Sequence, residues 1–307
     1  MACHRLTKSS GKALLNGVDN FLFGCNGVLW DARGVIPESL ETVATLKNLG
    51  KRVFFITNDS TRSRQGFVEK FQHHGFPGIA QLDEIMCTAH FAAKYLHDLK
   101  FKDKVFLVGC PAMGTELDAV GIRHIGIGPY PYEGSIKEWL IMNLDPEVKC
   151  VLVGYDSEVS YMKSMHASTY LQQPDCLFLA TSEDTHVPVS DTQVCIPDAG
   201  TMVQAVSLPS ERVPTILGKP QHHMFDLLRE THNLDPARTV IVGDNLDTDI
   251  GLAKACGLKS LLVLTGVTAE SELPQGMQDT QAEPKNTSPS NLPDLYTPRV
   301  ADLASFV

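Results

Sequence analysis

Short apolar runs that end at glycine or a polar residue, each followed by a helix-length stretch, constrain this chain most. The runs 21–23, 52–57, 104–109, 149–154, 176–180, 239–243 and 260–264 are rich in Val, Ile, Leu and Phe. Strands that are apolar throughout rather than alternating belong to sheets covered on both faces. Their regular alternation with helices predicts an α/β fold with a mainly parallel sheet. Pro37 is expected to open a helix that turns Leu40, Val43, Ala44 and Leu46 to one face and stops at Gly50. Residues 97–210 carry their own strand–helix units and read as a second α/β domain inserted into a first made of 1–96 and 211–307. The segment 269–293, rich in Gln, Glu, Ser, Pro and Asn, is expected to be a long surface loop or partly disordered.

With 307 residues, 43% of them apolar, the chain can build a substantial core. A net charge of −10 argues against a nucleic-acid binder, which needs a basic footprint. No apolar stretch approaches the roughly 18 residues of a membrane span, and the first residues lack the apolar core of a secretory signal. The eight cysteines are scattered without a C-x-x-C pair, which favours free thiols in a reducing compartment over a disulfide frame. A soluble, cytoplasmic protein is expected.

Four polar segments sit at or near the ends of these apolar runs: Gly24-Cys25-Asn26, Thr57-Asn58, Gly218-Lys219-Pro220, and Gly243–249 with Asp244, Asp247 and Asp249. Each alone has an ordinary reading. Thr57-Asn58 is a common turn, Gly-Lys-Pro an exposed loop, and the aspartates a helix N-cap near the positive end of the dipole. The aspartates do not form an EF-hand, because the required glutamate is missing. Open α/β sheets, however, bind ligands at the carboxyl ends of their strands, where all four segments would converge.

In this order the segments resemble the four motifs of the haloacid dehalogenase superfamily. From about residue 12 to 307 the chain is similar to its phosphoglycolate and pyridoxal phosphatases. The runs GKRVFFITNDSTRSR (50–64), VLVGYDSEVSYMK (151–163), YLQQPDCL (170–177), LDPARTVIVGDNLDTDI (234–250) and CGLKSLLVLTGVT (256–268) carry that likeness. The resemblance implies a Rossmann-like core with an inserted α/β cap, homodimerisation through the cap, and Mg²⁺-dependent hydrolysis of small phosphomonoesters through an aspartyl-phosphate. It assigns phosphate-orienting roles to Thr57 and Asn58 and the phosphate lysine to Lys219. Asp244 becomes a Mg²⁺ ligand, the Asn26 backbone carbonyl a second donor, and Asp249 outer support. The nucleophile and acid/base positions fall on Gly24 and Asn26, where the family has aspartates. Further departures are Asp59 for Asn, Asn245 for Arg, Glu158 for His, and Asp198-Ala199-Gly200 for Gly-Thr-Gly.

Glycine offers no nucleophile, and Cys25 is expected to point to the opposite face of the strand. Loss of a nucleophile alone cost on the order of 10⁶ in a protease, and loss of acid/base help typically costs about 10²–10⁴. The sequence therefore predicts a catalytically inactive or severely impaired phosphatase relative with a weakened Mg²⁺ site. It would act by binding a phosphorylated small molecule or a protein partner. Two alternatives stand beside it: residual hydrolysis by an unorthodox nucleophile or by water, and introduction of Gly24 and Asn26 into an active chain. Trp30 reads either as a flap over the site or as core. Glu133, Trp139 and Tyr161 are candidate pocket residues, and the pairs His73-His74 and His222-His223 are surface histidines rather than chelates.

Overall fold

The computed structural model describes residues 3–187, 193–273 and 291–306. Two parallel sheets organise it. The larger has seven strands in the order His4–Arg5, Leu295–Thr297, Lys259–Val263, Thr239–Gly243, Asn20–Phe23, Arg52–Thr57 and Ile85–Cys87. The smaller has five, in the order Thr215–Ile216, Leu177–Ala180, Val148–Val153, Lys104–Val108 and His124–Ile125. Every pairing within both sheets is parallel. The larger sheet draws strands from both ends of the chain, and the smaller draws its strands from the middle. The last strand of the smaller sheet, Thr215–Ile216, lies just beyond residue 210.

The smaller sheet shows why an unbroken apolar run reads as a strand with two buried faces. Val105, Leu107, Cys150, Leu152 and Leu179 join the main core, together with Ala89, Phe91, Met113 and Leu117 from helices Thr88–Asp98 and Pro111–Ala119. The alternate residues Phe106, Val108, Val151, Val153 and Phe178 form a second cluster with helices Tyr161–Tyr170 and Ala199–Ser210. Alternation of side chains along each strand divides the two sets. One apolar core thus runs without a break from the larger sheet to the inner face of the smaller one.

Local expectations hold with small shifts. The helix expected from Pro37 instead spans Ser39–Asn48, because Glu38 adopts a left-handed conformation (φ 62°) that no helix can include. The stretch after Gly243 opens as a π-helical turn, Leu246–Ile250, before the α-helix Gly251–Cys256. Of the segment 269–293, residues 274–290 lie outside the described residues, and Glu270–Glu272 form a short 3-10 helix. All eight cysteines are free thiols. Among the described residues no helix is long and apolar enough to cross a membrane.

Candidate active site at the carboxyl ends of the central strands

Strands Thr239–Gly243, Asn20–Phe23 and Arg52–Thr57 are neighbours in register, with Phe23 beside both Val242 and Phe55. Their parallel direction carries Asp244, Gly24 and Thr57 to one edge. The Gly24 amide extends the ladder by donating to the Val242 carbonyl at 2.9 Å. Lys219 reaches the same place from a loop after the smaller sheet. Its ammonium, buried at 6% exposure, donates to Asp249 Oδ1 at 2.6 Å and to the Ile56 carbonyl at 3.2 Å. Burial opposes the Lys219 charge, but the charge and hydrogen bond of Asp249 outweigh it, so the ammonium is held protonated above the ordinary lysine range.

Asp249 is buried and fully engaged. Its Oδ1 takes Lys219, and its Oδ2 accepts the backbone N–H of Asp244 (3.1 Å) and, more weakly, of Asn245 (3.4 Å). The Asp244 carboxylate lies against Gly27 and Gly266, where any Cβ would run into it. The Val267 amide donates to its Oδ2 at 2.8 Å. Burial, with the Asp249 charge added, pushes the Asp244 carboxyl up to about 7. Asn245 acts locally, its side chain accepting from the amides of Asp247 (2.8 Å) and Thr248 (3.3 Å) to cap the π-helical turn. The cap of this turn is therefore Asn245 and not an aspartate.

Thr57 is 4% exposed, and its hydroxyl oxygen accepts the Asp59 amide at 3.2 Å. Asn58 is committed as a cross-link rather than left open. Its Oδ1 accepts the Lys219 amide (2.8 Å), while its Nδ2 donates to the Lys219 carbonyl (3.1 Å) and to Asp184 Oδ2 (3.0 Å). Asp59 closes its own turn by accepting from the amide and hydroxyl of Thr61. The loop that follows the strand Arg52–Thr57 is gripped from the smaller sheet's side. The amide of Tyr155 donates to Ser60 Oγ at 3.2 Å and the Cys110 thiol to the Ser60 carbonyl at 3.0 Å.

Position 24 presents no side chain. Its backbone lies outside the left-handed region, and an added Cβ would meet Val28 Cγ2 at 3.2 Å and Asp249 Oδ1 at 3.4 Å. Cys25 is 2% exposed, and burial pushes its thiol up to about 12, so it carries no thiolate. Asn26 Oδ1 accepts the Trp30 indole N–H at 2.9 Å. Trp30 itself is core, at 1% exposure, against Phe67 and Phe71 with the Lys70 ammonium 4.0 Å from its ring centroid. The backbone N–H groups of Cys25 and Asn26 make no hydrogen bond among the described residues. Nor do the described residues contain a cluster of three or more His, Cys, Asp or Glu able to hold a metal ion.

Sequence reasoning reached Gly24, Asn26, Thr57, Asn58, Lys219, Asp244 and Asp249, and the fold brings them together. It missed Asp184, Ser60 and Val267, which act only through contacts between distant segments. Asp184 follows the strand Leu177–Ala180, so its place just past a strand end was the one available signal. Asp198 caps helix Ala199–Ser210 through the Ala199 amide at 2.6 Å; burial, then Asp184 and Asp59, push its carboxyl up to about 6. The half-buried Trp139 forms an aromatic cluster with the exposed Tyr132 and Tyr161, at centroid distances of 5.4–6.0 Å.

A haloacid dehalogenase-like hydrolase profile matches residues 21–123, and a second HAD-hydrolase-like profile matches 216–295. The chain is 38% identical to glycerol-3-phosphate phosphatase of Homo sapiens over 308 residues, covering 98% of this chain and 94% of that one. It is 37% identical to phosphoglycolate phosphatase 2 of Arabidopsis thaliana over 314 residues, covering 100% and 99%. In fold it resembles the glycerol phosphate phosphatase of Mycobacterium tuberculosis solved in complex with magnesium, with a TM-score of 0.75, 22% identity, and 94% of this chain and 77% of that one covered. With Thr57, Lys219, Asp244 and Asp249 gathered at one sheet edge and relatives matched over nearly the whole chain, this protein belongs to the haloacid dehalogenase-like hydrolase family of phosphatases.

Proposed function

We propose that this chain is a catalytically silent member of the family that binds a phosphorylated small molecule. The observation that carries the reading is the strand end itself. An in-line attack on phosphorus needs a nucleophile there. Position 24 is glycine, and the neighbouring thiol of Cys25 is buried and protonated. Asn26 cannot exchange a proton and instead anchors Trp30. The anion-holding half survives: the Lys219 ammonium, the Thr57 hydroxyl, and the unpaired amides of Cys25 and Asn26. The Mg²⁺ site expected from the sequence is left in this reading with little more than one oxygen of Asp244 and the Asn26 backbone carbonyl, too few donors to hold the ion well. It also takes the chain to be cytoplasmic, in keeping with its free thiols, and homodimeric through the smaller-sheet region. The exposed Tyr132, Ile136, Leu140 and Ile141 support an interface there.

The test is a Mg²⁺-dependent p-nitrophenyl phosphate assay on this chain and on its Gly24→Asp/Asn26→Asp double variant. The chain is expected at background. The double variant should gain turnover by about 10³ or more, as the cost of losing a nucleophile implies. Space permits the change, because Val28 need yield only slightly and the Trp30 indole can donate to an aspartate at 26 as it does to Asn26. Turnover by the unchanged chain that Lys219→Ala abolishes would overturn the reading.

A further inference from the structure

Mg²⁺ is usually held by one or two carboxylates together with substrate phosphate and waters, and those carboxylate oxygens must be free and converge on one space. Three acids act on the Lys219 ammonium: Asp249, Asp244 and Asp184. Asp249 is spent on Lys219 and on the amides of residues 244 and 245. One oxygen of Asp184 is spent on the Asn58 amide, and one oxygen of Asp244 on the Val267 amide. The Asn26 side-chain oxygen is taken by Trp30. This donor set is a poor Mg²⁺ site: one free oxygen each on Asp244 and Asp184 and backbone carbonyls remain, and the described residues bring no three His, Cys, Asp or Glu together around one space.

The same groups leave the demand for a cation low. A phosphate dianion facing four carboxylates needs a divalent ion to screen it. Here positions 24 and 26 contribute no charge, and the nearest acid, Asp249, is neutralised by Lys219 at 2.6 Å. An ammonium has three donors. Two are engaged, with Asp249 and the Ile56 carbonyl, which leaves one for a ligand oxygen. The Cys25 and Asn26 amides add two more donors at the adjacent strand end, and the Thr57 hydroxyl a fourth. We propose that this site binds its phosphoryl ligand without a divalent cation, with Lys219 and the strand-end amides in place of the metal. The inference rests on the phosphate-binding reading above.

Inorganic phosphate, titrated calorimetrically and by thermal shift into the full chain in EDTA and in excess Mg²⁺, tests it. The expected result is a dissociation constant that differs by less than about twofold between the two buffers. Mg²⁺ alone should leave the melting temperature unchanged. Lys219→Met should abolish phosphate binding while circular dichroism reports an intact fold. The double variant Gly24→Asp/Asn26→Asp should acquire a melting temperature that rises with Mg²⁺. Binding that appears only with Mg²⁺, or tightens about tenfold with it, overturns the inference and leaves the phosphate-binding reading standing. Failure to bind phosphate in either buffer overturns both.

Discussion

Asn58 shows how a residue at a strand end acquires a role its sequence context does not announce. Its amide joins three segments at once, bridging the strand Arg52–Thr57 to the Lys219 backbone and to Asp184. Replacement by alanine leaves the Lys219 amide and the Asp184 carboxylate without these partners. Unmet polar groups of this kind cost about 1–3 kcal/mol each. Asn58→Ala is therefore expected to lower stability by roughly 2–4 kcal/mol in urea denaturation, and a change below about 0.5 kcal/mol would show the cross-link to be idle. The Thr-Asn pair was legible from its strand-end position. Its role was not, because the partners lie 126 and 161 residues away in sequence.

Among the elements, helix Ala199–Ser210 carries an unusual cap. Asp198 accepts the Ala199 amide, yet burial and the nearby Asp184 and Asp59 raise its carboxyl from the ordinary range to about 6. A carboxyl raised on folding binds its proton more tightly in the native state, so its contribution is fully present below about pH 4. That contribution is lost as pH rises through about 6. The substitution Asp198→Asn would keep a capping oxygen without the charge. The variant should be more stable than the parent by roughly 1–2 kcal/mol at about pH 8 and level with it near pH 4, measured by urea denaturation across that window. An unchanged difference at both pH values would show that the carboxyl is not strained by its surroundings. Helix Pro111–Ala119 makes a second charged tie between elements. Its Glu116 accepts the Arg64 amide at 2.7 Å and pairs with His90 at 3.2 Å, joining the starts of two helices from the larger sheet's side. Burial alone would raise Glu116, but the His90 and Arg64 hydrogen bonds and the Arg64 charge hold it below the usual carboxylate range. The elements announced by apolar runs were readable to within a residue or two, but the short strands His4–Arg5, Ile85–Cys87, His124–Ile125, Thr215–Ile216 and Leu295–Thr297 carry no such run. The π-helical turn at Leu246–Ile250 was not readable either, because its trigger is the Asn245 cap and the packing of Asp249 under Gly243.

At the scale of the whole molecule the two sheets share one core. Leu107, Leu152 and Leu179 from the smaller sheet and Phe55 and Leu22 from the larger belong to a single apolar cluster. Unfolding one sheet would expose the inner face of the other, at about 25 cal/mol per Å² of apolar surface. The two tryptophans report on the two halves, Trp30 beside the larger sheet and Trp139 in the smaller-sheet segment. In each of the single-tryptophan variants Trp30→Phe and Trp139→Phe, the urea midpoint by fluorescence should coincide with the midpoint of the same variant by far-UV circular dichroism. Midpoints separated beyond error would mean that the shared core does not couple the sheets.

The sequence by itself determined the α/β architecture, the parallel pairing and the four strand-end segments, because hydrophobic periodicity and strand-end polarity are local properties. It also determined that positions 24 and 26 bring no acid to the site, since no fold can supply a missing side chain. Only the tertiary structure decided what the surviving groups do. Whether Lys219 faces Asp249, whether Asn26 is taken by Trp30, and whether Asp244 is held by Val267 depend on distances between segments brought together by folding. Those contacts decide how many donors remain free, and hence what the Gly24 strand end can still bind.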